Sequence, residues 1–203
     1  MITLMRDNKG MNVRTPTDQR ILDAAQHLMQ ARGYHGVSYA AVAAAVGLRK
    51  ASVFHHFAAK EGLARAVVAR YRTTTREDLT TIAQATDDPR DQLVRYIGLY
   101  HTRLVQGEHM CLCGLLAAEA TTLPETVRAE VRAYFIEHEA WLGDVLAAGR
   151  TAGLLRDDGP LPDAAQRLLA GVEGALLVAQ AHDDDARFDV IAAGLLAALH
   201  SRP

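Results

Sequence analysis

Apolar positions recur every three or four residues along most of the chain, the spacing of helices that bury one face. Ile21, Leu22, Ala25, Leu28 and Met29 make the first such stripe, and Gly33 in ARGYHG ends it. Its start is signalled by Thr15-Pro16-Thr17-Asp18: Thr15 can cap, Pro16 suits the first helical position and Asp18 can reach back from the third. Ser38 then caps a short Ala-rich stripe, YAAVAAAV, which stops at Gly47; a further short helix is expected from about Arg49 to Phe57. Two short helices joined at a glycine read as a helix-turn-helix.

From Lys60 the pattern lengthens. KEGLARAVVARYRTTTREDLTTIAQA sets Leu63, Val67, Val68, Tyr71, Leu79 and Ile82 on one side of a long helix that runs toward TDDP. RDQLVRYIGLYHTRLVQG, LCGLLAAEATT and PETVRAEVRAYFIEHEAWLGDVLAAGRTAG predict three more helices, the last one long. DAAQRLLAGVEGALLVAQAH and RFDVIAAGLLAALH predict two final ones, apolar on more than one face and carrying the small residues Ala170, Gly171, Gly174 and Ala175. A single small domain offers too little interior for both faces, so a homodimer is expected through these helices, Asp163 to Ala181 and Arg187 to His200.

Composition agrees with an all-α fold. Leu and Ala dominate, aromatics are only 5%, and runs of β-branched and aromatic residues that would suggest strands are missing. Charge adds a direction: residues 1 to 75 hold 11 Lys and Arg against 4 Asp and Glu, whereas residues 76 to 203 hold 11 against 20. A basic front on an acidic body points to an anionic partner for the N-terminal part, with nucleic acid first. The two cysteines, Cys111 and Cys113, are too few and too close for a disulfide framework. With no apolar run of bilayer length and no signal-peptide centre in MITLMRDNKGMNVRTPTD, a cytoplasmic protein is expected.

The 48 residues from Ile21 to Val68 resemble the TetR-type one-component transcriptional repressors. The landmarks, in order, are a helix ending in Ala-Arg-Gly-Tyr, Ser38, Val42-Ala43, Val46-Gly47-Leu48, the block SVFHHF, and Lys60-Glu61-Gly62-Leu63. Farther on, CLCGLLAAE and LPETVRAEV match a texture seen in some members. Residues 1–14, polar, mixed and without periodicity, read as a mobile basic arm; the resemblance implies a three-helix DNA-binding domain at 15–60 and a helical ligand-sensing and dimerisation domain at 61–203, about nine helices in all. It implies a homodimer on a palindromic operator of double-stranded DNA, released by a small-molecule effector, with no cofactor and no enzymatic role. By that resemblance the helix from Arg49 to His56 enters the major groove. Ser38, Arg49, Lys50, Ser52, Phe54, His55 and His56 would then face DNA, and Lys60 would meet a phosphate beside a helix N-terminus. Phe54 stands where the family usually has tyrosine, so a phosphate-binding hydroxyl is missing.

The chemistry-bearing residues have plainer readings too. His55 and His56 are adjacent, point about 100° apart on a helix and cannot chelate one ion as an i,i+4 pair does. At i,i+2, Cys111 and Cys113 point to different sides. They are read as buried packing, as an oxidant or electrophile sensor if a helix N-terminus lowers the thiol pKa, or as a soft-metal site with His109. Tyr96, Tyr100, Tyr134, His138 and Trp141 fall on helices that would surround a ligand cavity, and helical spacing of this kind more often marks core than a ligand cage. Glu119, a carboxylate among apolar residues, is either a pocket group or exposed without a role. The rival reading of the whole is a helical thiol-reactive enzyme or small-molecule carrier with a vestigial DNA-binding motif.

Overall fold

The computed structural model describes residues 16–106, 110–156 and 159–199. The expected basic arm, the Thr15 cap, His109 and His200 lie outside them. Among the described residues there are nine helices and no strand. They are α1 (Thr17–Arg32), α2 (Tyr39–Val46), α3 (Lys50–His56), α4 (Lys60–Ala85), α5 (Pro89–Val105), α6 (Leu112–Ala118), α7 (Glu125–Thr151), α8 (Leu161–His182) and α9 (Ala186–Leu199).

The boundaries follow from local chemistry. Pro16 flanks α1 as its N-cap, and Thr17, one residue later than expected, opens the helix. Gly33 closes it at φ +70° and ψ 176°, a mirror-extended conformation that a side chain resists. Ser38 Oγ accepts the Ala41 N–H at 3.2 Å, and Gly47 ends α2 in the left-handed region at φ +68°. Asp88 caps α5 by accepting the Arg90 N–H at 2.9 Å, with Pro89 in the first turn, where its missing donor costs nothing.

The first three helices pack on the N-terminal part of α4. Ile21, Ala25, Met29, Val42, Val53, Leu63, Val67 and Val68 make that core, and all eight are shielded completely. Full burial of a Val, Leu or Ile contributes about 1.5–3 kcal/mol, so truncating Leu63 to alanine costs about 2–5 kcal/mol. Arg70 on α4 pins α1 through Asp23 at 2.6 Å and Gln26 at 3.1 Å. Two residues on, and on the opposite face of the helix, Arg72 reaches both Glu130 and Glu137 of α7. The long helix is thus tied to the front by one arginine and to the body by another.

α8 and α9 cross closely because Gly171 has no side chain: a Cβ there would overlap Leu195. Their outer surfaces leave Leu177, Val178 and Val190 uncovered, Val190 at 74% exposure. No helix among the described residues is long and apolar enough to cross a membrane.

Candidate DNA-binding face and buried polar core

α3 is seven residues long, and only Val53 is buried in it. Phe57, its C-cap, is partly buried against the same core, so the Val53–Phe57 spacing anchors the helix as expected. Its outer face presents Arg49, Lys50, His55 and His56 in solvent, with Ser52 half-buried and Phe54 55% exposed. The two imidazoles stand edge-on, 5.9 Å apart between centroids. Tyr39, at the start of α2, was not singled out in the sequence. Its hydroxyl donates to the Phe57 carbonyl at 2.7 Å and its ring meets Phe54 edge-on, which fixes the angle between the helices of the motif.

Lys60 opens α4, but its ammonium turns inward, 4.4 Å from the centroid of the Tyr34 ring and 3.4 Å from the His35 carbonyl. Partial burial lowers its pKa, and the Glu119 carboxylate opposes that shift. Glu119 has a structural contact of its own. It ends α6 and leans over Gly33, where any Cβ would overlap its carboxylate, and Oε2 accepts the Tyr34 N–H at 3.0 Å. Its neighbours make parallel contacts: His35 Nε2 with Thr122 Oγ1 at 3.0 Å, and Gln30 Nε2 donating to the Met110 carbonyl at 2.9 Å. The segment from Met110 to Thr122 therefore grips the turn between α1 and α2.

Behind α6 lies a connected set of buried polar groups. Arg103 Nη1 donates to the Tyr71 hydroxyl at 3.4 Å, Tyr71 to Cys111 Sγ at 3.7 Å, and Cys111 to the Tyr134 hydroxyl at 3.4 Å. The chain continues through Tyr134–Tyr100 at 3.0 Å and Tyr100–Tyr96 at 3.1 Å to His138 Nδ1, 3.2 Å from Tyr96. Buried hydroxyls joined this way satisfy one another and fix the rotamers of α4, α5 and α7. His138 Nε2 and both carboxylate oxygens of Glu173 are buried without a hydrogen-bond partner.

Burial dominates the proton affinities here. It raises the Tyr71, Tyr96, Tyr100 and Tyr134 phenols and lowers His138 to about 3, the Arg103 charge adding to the effect on His138. Cys111 does sit at the N-terminus of α6, and its sulfur accepts the Gly114 N–H at 3.4 Å. The expected lowering of its pKa is nevertheless overturned: burial first, then the nearby Glu173 carboxylate, push the thiol up to about 12. Cys113 is fully buried and likewise raised by burial. Burial also lifts Glu173 to about 7, partly offset by the Cys111 thiol.

Of the residues expected around a ligand, the fold brings Tyr96, Tyr100, Cys111, Tyr134 and His138 together. Trp141 stacks on Tyr96 at 5.5 Å, half-buried at the edge of the cluster. Tyr71, Arg103 and Glu173 join it unannounced. Tyr71 had been read as core, whereas Glu173 carried a usable signal as the one ionisable residue between Arg167 and His182.

An exposed basic helix on a two-helix motif, carried by a helical body with an internal polar core, defines a helix-turn-helix DNA-binding regulator. Residues 21–67 match the bacterial regulatory proteins of the tetR family, and residues 89–195 match the tetracyclin repressor-like C-terminal domain. The chain belongs to the TetR family. A TetR-family transcriptional regulator from Agrobacterium tumefaciens has the same fold with a TM-score of 0.89 and 37% identity, over 91% of this chain and 97% of that one. The HTH-type transcriptional repressor DhaR of Mycobacterium sp. (strain GP1) is 26% identical over 166 residues, 81% of this chain and 82% of its own. The HTH-type transcriptional regulator UidR of Escherichia coli (strain K12) is 33% identical over 64 residues, 32% of each chain.

Proposed function

We propose that this ligand-responsive repressor binds a palindromic operator as a homodimer and lets go when a small molecule enters the polar core behind α6. The observation that carries the reading is the reach of α6. Cys111 at its start belongs to the phenol and thiol network, and Glu119 at its end holds the Tyr34 N–H of the front. A ligand that displaces α6 from the core acts on the contact that positions the reading head. It shifts the protein between a DNA-competent state and a released one to the extent that it prefers the second.

In this reading residues 15–60 form the DNA-binding unit and 61–203 the sensing and dimerising unit, with α4 crossing between them. Arg49, Lys50, Ser52, His55 and His56 reach bases and phosphates, Phe54 offers apolar contact to a sugar or a thymine methyl, Ser38 sits at a helix start that faces phosphate, and Lys60 swings out from Tyr34 to meet a phosphate on binding. The uncovered Leu177, Val178 and Val190 support dimerisation through α8 and α9. Two α3 helices would then stand one DNA turn apart, roughly 34–36 Å. Release by thiol modification draws no support from a thiol that is buried and pushed up to about 12.

The test is selection of bound duplexes from a random library, followed by sedimentation of the complex. Enrichment of an inverted repeat bound by two chains is the expected result. Binding with no sequence preference, or by a single chain, would falsify the reading.

A further inference from the structure

The polar core contains a buried carboxyl group with no counter-ion. Glu173 projects from α8 toward α6, where Gly114 leaves a notch: a Cβ at Gly114 would overlap Glu173 Oε2. Both carboxylate oxygens are shut off from solvent and neither has a hydrogen-bond partner of good geometry; the Cys111 thiol, which donates to Tyr134, lies near enough only to temper the rise in the Glu173 pKa. The arginines closest to this core are committed elsewhere. Arg103 is paired with Asp78 and donates to Tyr71, and Arg72 is shared between Glu130 and Glu137. The Glu173 charge reaches the phenols of Tyr96, Tyr100 and Tyr134, whose donors are spent on one another and on His138.

Such a site discriminates by charge. An anion entering it would meet Glu173 with no uncommitted arginine to balance two negative charges in a medium of low polarity. A neutral molecule would leave the carboxylate unpaired. A cation bearing N–H donors fills both vacant acceptors and lies against electron-rich ring faces. We propose that Glu173 anchors the effector site and that the effector is a small organic cation, a protonated amine with an apolar body that packs on Tyr96, Tyr100 and Tyr134. This rests on the assignment of the polar core as the effector site. The cleft beside Cys111, lined by Tyr71, Tyr100, Arg103, Met110 and Leu176, is only about the size of a water molecule. Entry therefore parts α6 from α8, and α6 is the helix that holds Tyr34.

The experiment uses the full chain and three compounds of one shape: benzylamine, benzyl alcohol and benzoate. Trp141 is the only tryptophan and stacks on Tyr96, so its fluorescence reports occupancy. Benzylamine is expected to bind at least tenfold more tightly than the other two at pH 8. Glu173→Gln should abolish that preference, as should Gly114→Ala, whose methyl evicts the carboxylate from its notch.

Benzylamine affinity should also rise about tenfold from pH 6 to pH 8, because a carboxyl near 7 ionises across that interval. The groups facing it stay fixed in charge there: the Cys111 thiol on α6 and the phenols of Tyr96 and Tyr100 on α5, Tyr134 on α7 and Tyr71 on α4 are all raised, and His138 is lowered to about 3. On α9, Asp189 is turned to His101 at 3.3 Å.

If benzyl alcohol or benzoate binds as tightly as benzylamine and perturbs Trp141, the cation assignment is wrong while the core remains the effector site. If none of the three perturbs Trp141 at millimolar concentration, the assignment is wrong as well. Conversion of a dimer to monomer by Glu173→Gln, with the preference for benzylamine intact, would make Glu173 an interface residue and overturn it too.

Discussion

The Glu119 carboxylate accepts the Tyr34 backbone N–H at 3.0 Å, across 85 positions of sequence. That single bond joins the last turn of α6 to the turn after α1, where Gly33 is the only residue type that fits both the backbone and the carboxylate above it. Removing the acceptor leaves a partly buried donor without a protein partner. Glu119→Ala should lower the unfolding free energy by about 1–3 kcal/mol. Hydrogen exchange at the Tyr34 amide should quicken alongside, and exchange unchanged from the parent protein would mean that the bond does not hold the turn.

Contacts with DNA should separate by kind. Lys50→Ala, which removes one exposed cation from α3, should flatten the slope of log affinity against log salt by about one unit for any duplex. Phe54→Tyr adds a hydroxyl at the exposed ring and should tighten operator binding by about 0.5–1.5 kcal/mol. Fluorescence anisotropy at several salt concentrations reads both. An unaltered slope in the lysine variant would remove Lys50 from the phosphate contacts.

Stability should depend on pH through two buried groups with opposite signs. Glu173 is raised from its usual range to about 7, so the folded state holds its proton more tightly than the unfolded chain does. Its contribution is fully present below the unfolded pKa near 4.5 and is lost as pH rises through about 7. His138 is held neutral, with its pKa lowered to about 3, so its contribution is present above the unfolded value near 6.5 and is lost as pH falls toward 3. Glu173→Gln should therefore stabilise the ligand-free protein at pH 8, by up to about 3 kcal/mol, and do little at pH 4. Thermal melts of both proteins across that range decide the matter. A difference that grows toward acid pH contradicts the sign.

The thiol makes a sharper prediction. With its pKa pushed up to about 12, Cys111 has roughly one molecule in 10⁵ ionised at pH 7, against a few per cent for an unperturbed cysteine. N-ethylmaleimide should modify the native protein at least a hundredfold more slowly than it modifies a cysteine peptide. Intact mass against time measures this, and rapid single addition at Cys111 would restore the sensor reading.

Much of the fold was legible because its signals are local. Three-to-four spacing marked the helices, Ser38 and Gly47 marked the ends of α2, and the order of landmarks from Ile21 to Val68 marked the motif. The buried core was legible in part. Tyr96, Tyr100, Tyr134 and His138 stood out as sparse aromatics at helical spacing, but Tyr71 on α4 and Glu173 on α8 meet them only after four helices have packed. Cys111 shows why position along a helix was insufficient. The N-terminal site favours the thiolate, yet burial beside a carboxylate disfavours it more, and burial is a property of the assembled body. The contact of Glu119 was hidden for a similar reason, because its partner lies 85 residues away.

The unbroken course of α4 sets a length scale for control. Its 26 residues span about 39 Å at 1.5 Å per residue. Held by Arg72 near its middle and carrying the DNA-reading helices at its start, it works as a stiff rod with a fulcrum. A swing of roughly 10° about that point displaces either end by about 3 Å, close to the 3.4 Å rise between successive base pairs. In the proposed repressor, loss of register on DNA would then need only a change in the tilt of this rod and no unfolding of the body.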